Sequence, residues 1–187
     1  TGILHFLPEL KPKIRVVPPL IDFNFWQLGD SHRNGEILAL AYVYHPQTYH
    51  LKGFDLIVAC AKELPEYQFT FAGFSPEMID LYQPDMPINV TLLSFQSKED
   101  TRAMFQKYSV FLLPSMTEGM PNTFCEAMLC GCTPVVSDVS IMKTLVDDEN
   151  YVVLYRDKEL FKKAILYALK NPIHEDLNRD KVTNYFE

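Results

Sequence analysis

Short apolar runs alternate with longer amphipathic stretches along most of the chain. The runs are rich in β-branched and aromatic residues, which predicts buried strands. They lie at residues 14–17, 37–43, 67–72, 89–93, 110–113, 133–137 and 151–154. The stretches between and after them predict helices over about 53–64, 76–82, 97–108, 122–129, 141–146, 158–170 and 175–186. Because strands and helices alternate, we expect an α/β, Rossmann-like domain whose mostly parallel sheet has helices on both faces.

Three stretches carry other interpretations. Residues 20–35 are interpreted as irregular, and residues 44–51 as a polar, aromatic loop whose His45 and His50 are solvated. The stretch 158–170 has apolar residues on one face and lysines on the other. Such a helix could lie on a membrane surface, but an outer helix packed on the sheet is favoured.

Composition limits the class of protein. A chain of 187 residues suits one domain with a sizeable core, and no apolar run approaches the length of a membrane span. The net charge of −7 argues against a nucleic-acid-binding surface. The four cysteines lack paired C-x-x-C spacing, which favours buried thiols over a zinc site. Since the chain begins Thr1-Gly2, we expect a fragment of a longer protein.

The stretch 112–131 is the most informative part of the chain, because Glu118 and Glu126 have seven residues between them. Glu118 falls on a predicted loop with a flexible glycine. Asn122 is expected to cap the following helix, and Gly131 to end it in the left-handed conformation. Because Cβ bonds tilt toward a helix N-terminus, we expect Glu126 to lean back toward Glu118.

This unit would combine two kinds of chemistry. The start of a helix offers unpaired N–H groups and a positive dipole end, which suit phosphate, while carboxylates accept hydrogen bonds from hydroxyls. A nucleotide sugar carries both groups. Two glutamates at this spacing are by themselves more often solvated surface charges. Here, however, Glu118 follows a predicted parallel strand at the edge where open α/β sheets bind ligands, and the helix of Glu126 is otherwise apolar.

Several familiar motifs cannot be built from the chain. The seven glycines give neither G-x-G-x-x-G nor G-x-x-x-x-G-K, and neither H-E-x-x-H nor G-x-S-x-G occurs. Standard dinucleotide sites, P-loops, zinc-protease helices and α/β-hydrolase nucleophile elbows are therefore excluded.

An ordered set of segments resembles the C-terminal, donor-binding domain of GT-B glycosyltransferases, in the retaining family called GT4 or group 1. The matching segments are residues 15–22, 37–42 with 52–57, 69–73, 114–131 with its E-x7-E signature, and 134–138. By resemblance, residues 1–35 lead in from a missing N-terminal domain, residues 36–172 form the nucleotide-sugar-binding domain, and residues 173–187 form a C-terminal helix.

The resemblance also implies roles for individual residues. It assigns the donor diphosphate to Lys52, the donor sugar to Glu118 and the nucleotide ribose to Glu126, with Lys52 and Glu118 as the catalytic pair. The remaining donor-binding positions are Gly73, Gly119, Met120, Asn122 and Thr123.

A retaining glycosyltransferase of this family would move a hexose from an NDP-sugar to a glycan or lipid-linked acceptor, without a metal or other cofactor. The acceptor would bind the missing domain, so the isolated domain is expected to be inactive. The resemblance further implies bacterial polysaccharide biosynthesis in the cytoplasm, with peripheral contact at the inner face of the membrane as an option for the full-length protein.

The chain departs from the family pattern in two places. Ala41-Tyr42 stands where the family commonly has Gly-Arg, and residues 139–143 lack the usual glycines. Two alternatives therefore stay open. One is a degenerate, non-catalytic binding or interaction module of the same fold, and the other is an NDP-sugar 2-epimerase-like GT-B enzyme.

Overall fold

The computed structural model describes residues 20–29, 33, 35–139, 142–146, 148–154 and 156–186. The strand predicted at residues 14–17 lies outside these ranges. The six strands of the described part are β1 (Ile37–Val43), β2 (Phe69–Phe74), β3 (Val90–Ser94), β4 (Val110–Leu113), β5 (Thr133–Ser137) and β6 (Val152–Val153).

The six strands form one parallel sheet in the order β3-β2-β1-β4-β5-β6. Strand β1 is central, with Ile37 beside Phe69 of β2 on one side and Val110 of β4 on the other. Every residue of β2, β4 and β5 is buried. Since successive side chains of a strand point to opposite faces, both faces of the sheet are covered, and the predicted fold class is confirmed.

The helices of the described residues follow the strands in alternation. They are α1 (Pro46–Leu51), α2 (Phe54–Ala61), α3 (Pro76–Tyr82), α4 (Lys98–Lys107), α5 (Asn122–Leu129), α6 (Met142–Leu145), α7 (Lys158–Lys170) and α8 (Glu175–Phe186), with short 3-10 turns at Gln83–Asp85 and Glu149–Tyr151. Ser97 caps α4, since its hydroxyl accepts the Asp100 N–H at 3.0 Å.

The predicted loop over residues 44–51 is wrong, because α1 occupies most of it. His45 caps the helix, its Nδ1 accepting the Gln47 N–H at 3.4 Å. Tyr49 is only 4% exposed and stacks on Tyr82 with ring centroids 4.0 Å apart. A helical turn is what lets Tyr49 reach this aromatic cluster, so packing with distant residues decides the local conformation.

Helix α7 packs on the sheet through a buried face, as favoured from the sequence. The buried residues are Phe161, Ala164, Ile165 and Ala168, whereas Leu160 is 45% exposed. The four cysteines are also buried and carry free thiols. Within the described ranges, no helix combines the length and apolar character needed to cross a bilayer.

We expect Tyr49→Ala to lower the free energy of unfolding by about 3–5 kcal/mol, because it removes a buried ring from the aromatic cluster that anchors α1. Chemical denaturation followed by circular dichroism measures this. Tyr44→Ala is the matched control, since Tyr44 is 61% exposed and should cost less than about 1 kcal/mol. Equal losses in the two variants would contradict the anchoring role of Tyr49.

Candidate functional site

The strand order creates a crevice between β1 and β4. The chain leaves β1 toward β2 on one side, while β4 lies on the other side of β1. Ligands of open α/β sheets bind outside the carboxyl ends of the strands at such a switch point. The segment after β1 carries Lys52, and the loop after β4 carries Glu118.

Lys52 and Glu118 meet at this switch point. The Lys52 Nζ lies 2.6 Å from Oε1 of Glu118, and the Ser115 hydroxyl donates to the same oxygen at 2.7 Å. The Ser115 carbonyl in turn accepts a hydrogen bond from the Ser137 hydroxyl at 2.5 Å. The Glu118 side chain is only 9% exposed, so its carboxylate is held in a fixed position by an ammonium and a hydroxyl.

Backbone contacts hold the two segments against each other. The Met116 N–H donates to the Leu51 carbonyl at 2.8 Å. Gly53 has a φ of 77°, and a Cβ at this position would lie 2.4 Å from the Pro114 carbonyl oxygen. Only glycine tolerates both the positive φ and the close approach of the Pro114 carbonyl, so close packing explains the glycine that follows Lys52.

Helix α5 begins beside this pair, but its cap differs from the prediction. Pro121 occupies the cap position, and its carbonyl accepts the Phe124 N–H at 3.1 Å. The Asn122 side chain makes no cap hydrogen bond and is exposed. Among the described residues, nothing accepts the backbone N–H groups of Asn122 and Thr123. Two donors are therefore open at the positive end of a helix.

Glu126 lies one turn into α5 and is partly buried. Burial raises the pKa of its carboxyl to about 7, and the nearby positive charge of Lys98 opposes the shift. Over the described part of the chain, the carboxylate has no hydrogen-bond partner, and nothing bonds it to Glu118. The expected lean toward Glu118 is thus not seen as a contact, and Glu126 presents an unpaired acceptor.

The other predicted positions differ in what surrounds them. Gly73 is buried with a φ of 95°, and a Cβ there would lie 2.3 Å from the Ala41 carbonyl oxygen, so close packing of β2 on β1 already requires glycine. Gly119 is exposed, and a Cβ there would meet no atom within 4 Å. Met120 is partly buried against the core.

Sequence reasoning missed an exposed aromatic cluster at the carboxyl edge of β1 and β3. Tyr42 is 56% exposed, and its ring centroid lies 6.4 Å from that of Tyr44 and 5.6 Å from that of Phe95. The sequence singled out Tyr42 as a departure from the family, but Phe95 is too distant in sequence for the contact to be inferred. His45 and His50 are exposed, as expected, but His50 lies in the last turn of α1, and its Nδ1 lies 3.2 Å from Oδ2 of Asp55.

No group of three or more His, Cys, Asp or Glu side chains in the described ranges is arranged to hold a metal ion.

The sequence of residues 40–185 matches the family described as Glycosyl transferases group 1. The alpha-galactosylglucosyldiacylglycerol synthase of Streptococcus pneumoniae is 32% identical over 142 residues, which cover 71% of this chain and 37% of that protein. An Escherichia coli UDP-Gal:alpha-D-GlcNAc-diphosphoundecaprenol alpha-1,3-galactosyltransferase is 28% identical over 131 residues, covering 66% of this chain and 34% of that protein. The chain thus spans about a third of the length of these relatives.

Solved structures share the fold at low sequence identity. Sucrose-phosphate synthase from Thermosynechococcus elongatus has a TM-score of 0.77 at 19% identity, covering 98% of this chain and 52% of that one. The C-terminal domain of a glycosyl transferase group 1 family protein from Francisella tularensis has a TM-score of 0.63 at 10% identity, covering 89% of this chain and 94% of that one. The chain belongs to the glycosyl transferases group 1 family and has the fold of the C-terminal domain of its GT-B enzymes.

Proposed function

We propose that this chain is the nucleotide-sugar-binding domain of a retaining glycosyltransferase, which transfers a hexose from an NDP-sugar to a glycan or lipid-linked acceptor. The observation that carries the proposal is the Lys52–Glu118 pair at the switch point, beside the open N-terminus of α5. The names of the relatives support the acceptor class, since one is a diacylglycerol glycolipid synthase and another acts on a diphosphoundecaprenol. The acceptor site would lie in the remainder of the longer protein.

The donor diphosphate would bind between Lys52 and the start of α5. The Lys52 ammonium supplies a positive charge, and the N–H groups of Asn122 and Thr123 supply two hydrogen-bond donors. Fixed donors aimed at developing negative charge stabilise a departing diphosphate without reorganisation. Since Lys52 and the helix supply the positive charge, the proposed chemistry needs no metal ion or other cofactor.

The two glutamates would have different tasks. Glu126 has an unpaired carboxylate on α5, which suits acceptance of hydrogen bonds from the ribose hydroxyls. Glu118 already accepts hydrogen bonds from Lys52 and Ser115, which lowers its reactivity and suits it to orienting the donor sugar. We therefore assign Glu118 an orienting role rather than that of a nucleophile.

The departure at Tyr42 shapes the site without removing its cation. An aromatic residue replaces the arginine that commonly assists the diphosphate, so Lys52 carries more of the charge compensation.

The degenerate-module alternative would require that Lys52 and the start of α5 bind no donor. Location in the cytoplasm with peripheral membrane contact through the missing part of the protein stays a prediction.

We expect calorimetric titration of the chain with UDP, GDP and ADP to show binding of one nucleotide in preference to the others. Glu126→Gln should weaken that binding by about tenfold or more, because the ribose loses a charged acceptor. Glu149→Gln is the matched control. Glu149 is exposed and precedes β6, so it lies at the amino ends of the strands, whereas the site lies at their carboxyl ends. Absence of binding by all three nucleotides at millimolar concentration would contradict the donor site in this chain.

Donor binding should release a proton near neutral pH. Ribose hydroxyls favour the ionised form of Glu126, whose pKa in the free protein is about 7. At pH 7 we expect a release of about half a proton per site, and an affinity that rises with pH and then levels off. Calorimetry in buffers of different ionisation enthalpy measures this. An NDP-sugar is the appropriate ligand, because its doubly esterified diphosphate does not titrate in this range.

Glu126→Gln is the control for this release and should abolish it. Because the fold raises the pKa of Glu126 from 4.5 to about 7, folding is favoured by the protonated carboxyl at low pH, and this contribution falls as pH rises above 4.5 and is gone once pH passes about 7. The variant should therefore equal the parent in stability near pH 4 and exceed it by roughly 1–3 kcal/mol at pH 8. An unchanged proton release in the variant would assign the proton to another group.

Glu118→Gln should separate donor binding from transfer. Removal of the carboxylate frees the Lys52 ammonium and deletes a negative charge near the diphosphate, so NDP affinity should rise by about threefold or more. Sugar transfer by the full-length protein should fall by at least about tenfold, because the orienting group is lost. Titration and a product assay measure the two effects. Weaker NDP binding by the variant would be incompatible with competition between Glu118 and the diphosphate.

A further inference from the structure

A second charged cluster holds the segment that carries Lys52. Arg156 follows β6, and its Nη1 donates to the carbonyl of His50 in the last turn of α1 at 3.0 Å. Its Nη2 donates to Oδ2 of Asp55 in the first turn of α2. The His50 Nδ1 lies 3.2 Å from the same carboxylate oxygen. Arg156 therefore bridges the end of one helix and the start of the next.

Lys52 lies in the two-residue connection that Arg156 bridges. Its own N–H donates to the Thr48 carbonyl at 2.9 Å, and the following Gly53 N–H donates to the His50 carbonyl at 3.0 Å. The His50 carbonyl thus accepts from Gly53 and from Arg156 together. The guanidinium consequently restrains the backbone next to Lys52 while it contacts neither Lys52 nor Glu118.

The charges of the cluster reinforce this bridge. Asp55 lies at the positive end of α2, where a carboxylate is stabilised. Burial raises the pKa of Asp55, but the hydrogen bonds from Arg156 and His50 outweigh burial and hold the pKa below its usual value. Its Oδ1 is buried without a hydrogen-bond partner in the described structure, so the carboxylate depends on Arg156 for compensation.

We propose that Arg156 is a positioning residue that fixes the α1–α2 connection so that Lys52 points its ammonium at the donor diphosphate. The inference rests on the proposed function, because it assigns Arg156 a task in that same site. A lysine side chain is long and flexible, so its own rotamers do not fix the ammonium. What the fold can fix is the position of the Cα from which the side chain extends. Removal of Arg156 should therefore cost the part of diphosphate binding that Lys52 supplies, and no more.

The test is a double-mutant cycle between Arg156 and Lys52, with NDP affinity measured by calorimetry. Arg156→Ala alone should weaken NDP binding by about fivefold or more, because the ammonium is less well placed. In a Lys52→Ala background, the same substitution should change the affinity by less than about twofold, because the group it positions is gone. Equal losses in both backgrounds would overturn the inference and make Arg156 a purely structural residue.

Two further variants keep the test decisive. Lys158→Ala is the matched control, since Lys158 pairs with Glu63 just beyond the far end of α2 without bridging the Lys52 connection. It should leave NDP affinity within about twofold of the parent. Arg156→Lys retains the positive charge but not the two guanidinium nitrogens that bond two acceptors at once. It should therefore recover only part of the lost NDP affinity. This variant replaces Arg156→Ala in the cycle if melting shows that the alanine variant does not fold.

The outcomes also distinguish the inference from the function on which it rests. No NDP binding by the parent chain would overturn both. Binding by the parent that Lys52→Ala weakens and Arg156→Ala leaves unchanged would overturn the positioning role and keep the donor site. Loss of affinity in Arg156→Ala with an equal loss in Lys158→Ala would attribute the effect to general electrostatics and would also overturn the inference.

Discussion

The ion pair between Lys52 and Glu118 is the contact on which the candidate site depends. Its two members come from segments that follow adjacent strands, although 66 positions separate them in sequence. Glu118 is almost completely buried, so its negative charge requires a partner, and Lys52 with Ser115 provides it. The parallel sheet makes this possible, because the carboxyl ends of β1 and β4 lie side by side at the switch point.

The candidate site places one ammonium and two open N–H groups together in a chain whose net charge is −7. Under the proposed function, a diphosphate approaching this acidic protein would need local compensation, which Lys52 and the open N–H groups at the start of α5 could supply together. Tyr42 contributes an exposed aromatic surface instead of the charge of the arginine common in the family. Under the proposed function, the electrostatic demand on Lys52 would be correspondingly greater, which gives its placement more weight than in a site with two cations.

Strands and helices were about equally predictable where local sequence sets their boundaries. Strand β4 has the predicted limits, since an apolar run ends at Pro114, whereas α1 was missed because Tyr49 finds its partner 33 residues away in Tyr82. The cap of α5 was misassigned because Pro121 takes the position expected for Asn122. The predicted strand ends and the family resemblance were enough to predict that Lys52 and Glu118 belong to one site. No local pattern connects Arg156 to its partners, because they lie more than 100 positions away.

Three segments of the sheet edge thus converge on one lysine. The connection after β1 carries Lys52, the loop after β4 binds it through Glu118, and the segment after β6 holds its backbone through Arg156. The same contacts that stabilise this edge also place the ammonium before any ligand arrives, which reduces the entropy lost when a ligand binds. In the proposed function Lys52 would exchange Glu118 for the diphosphate at the same place, so a backbone held beneath an ammonium that is already at the switch point suits the site.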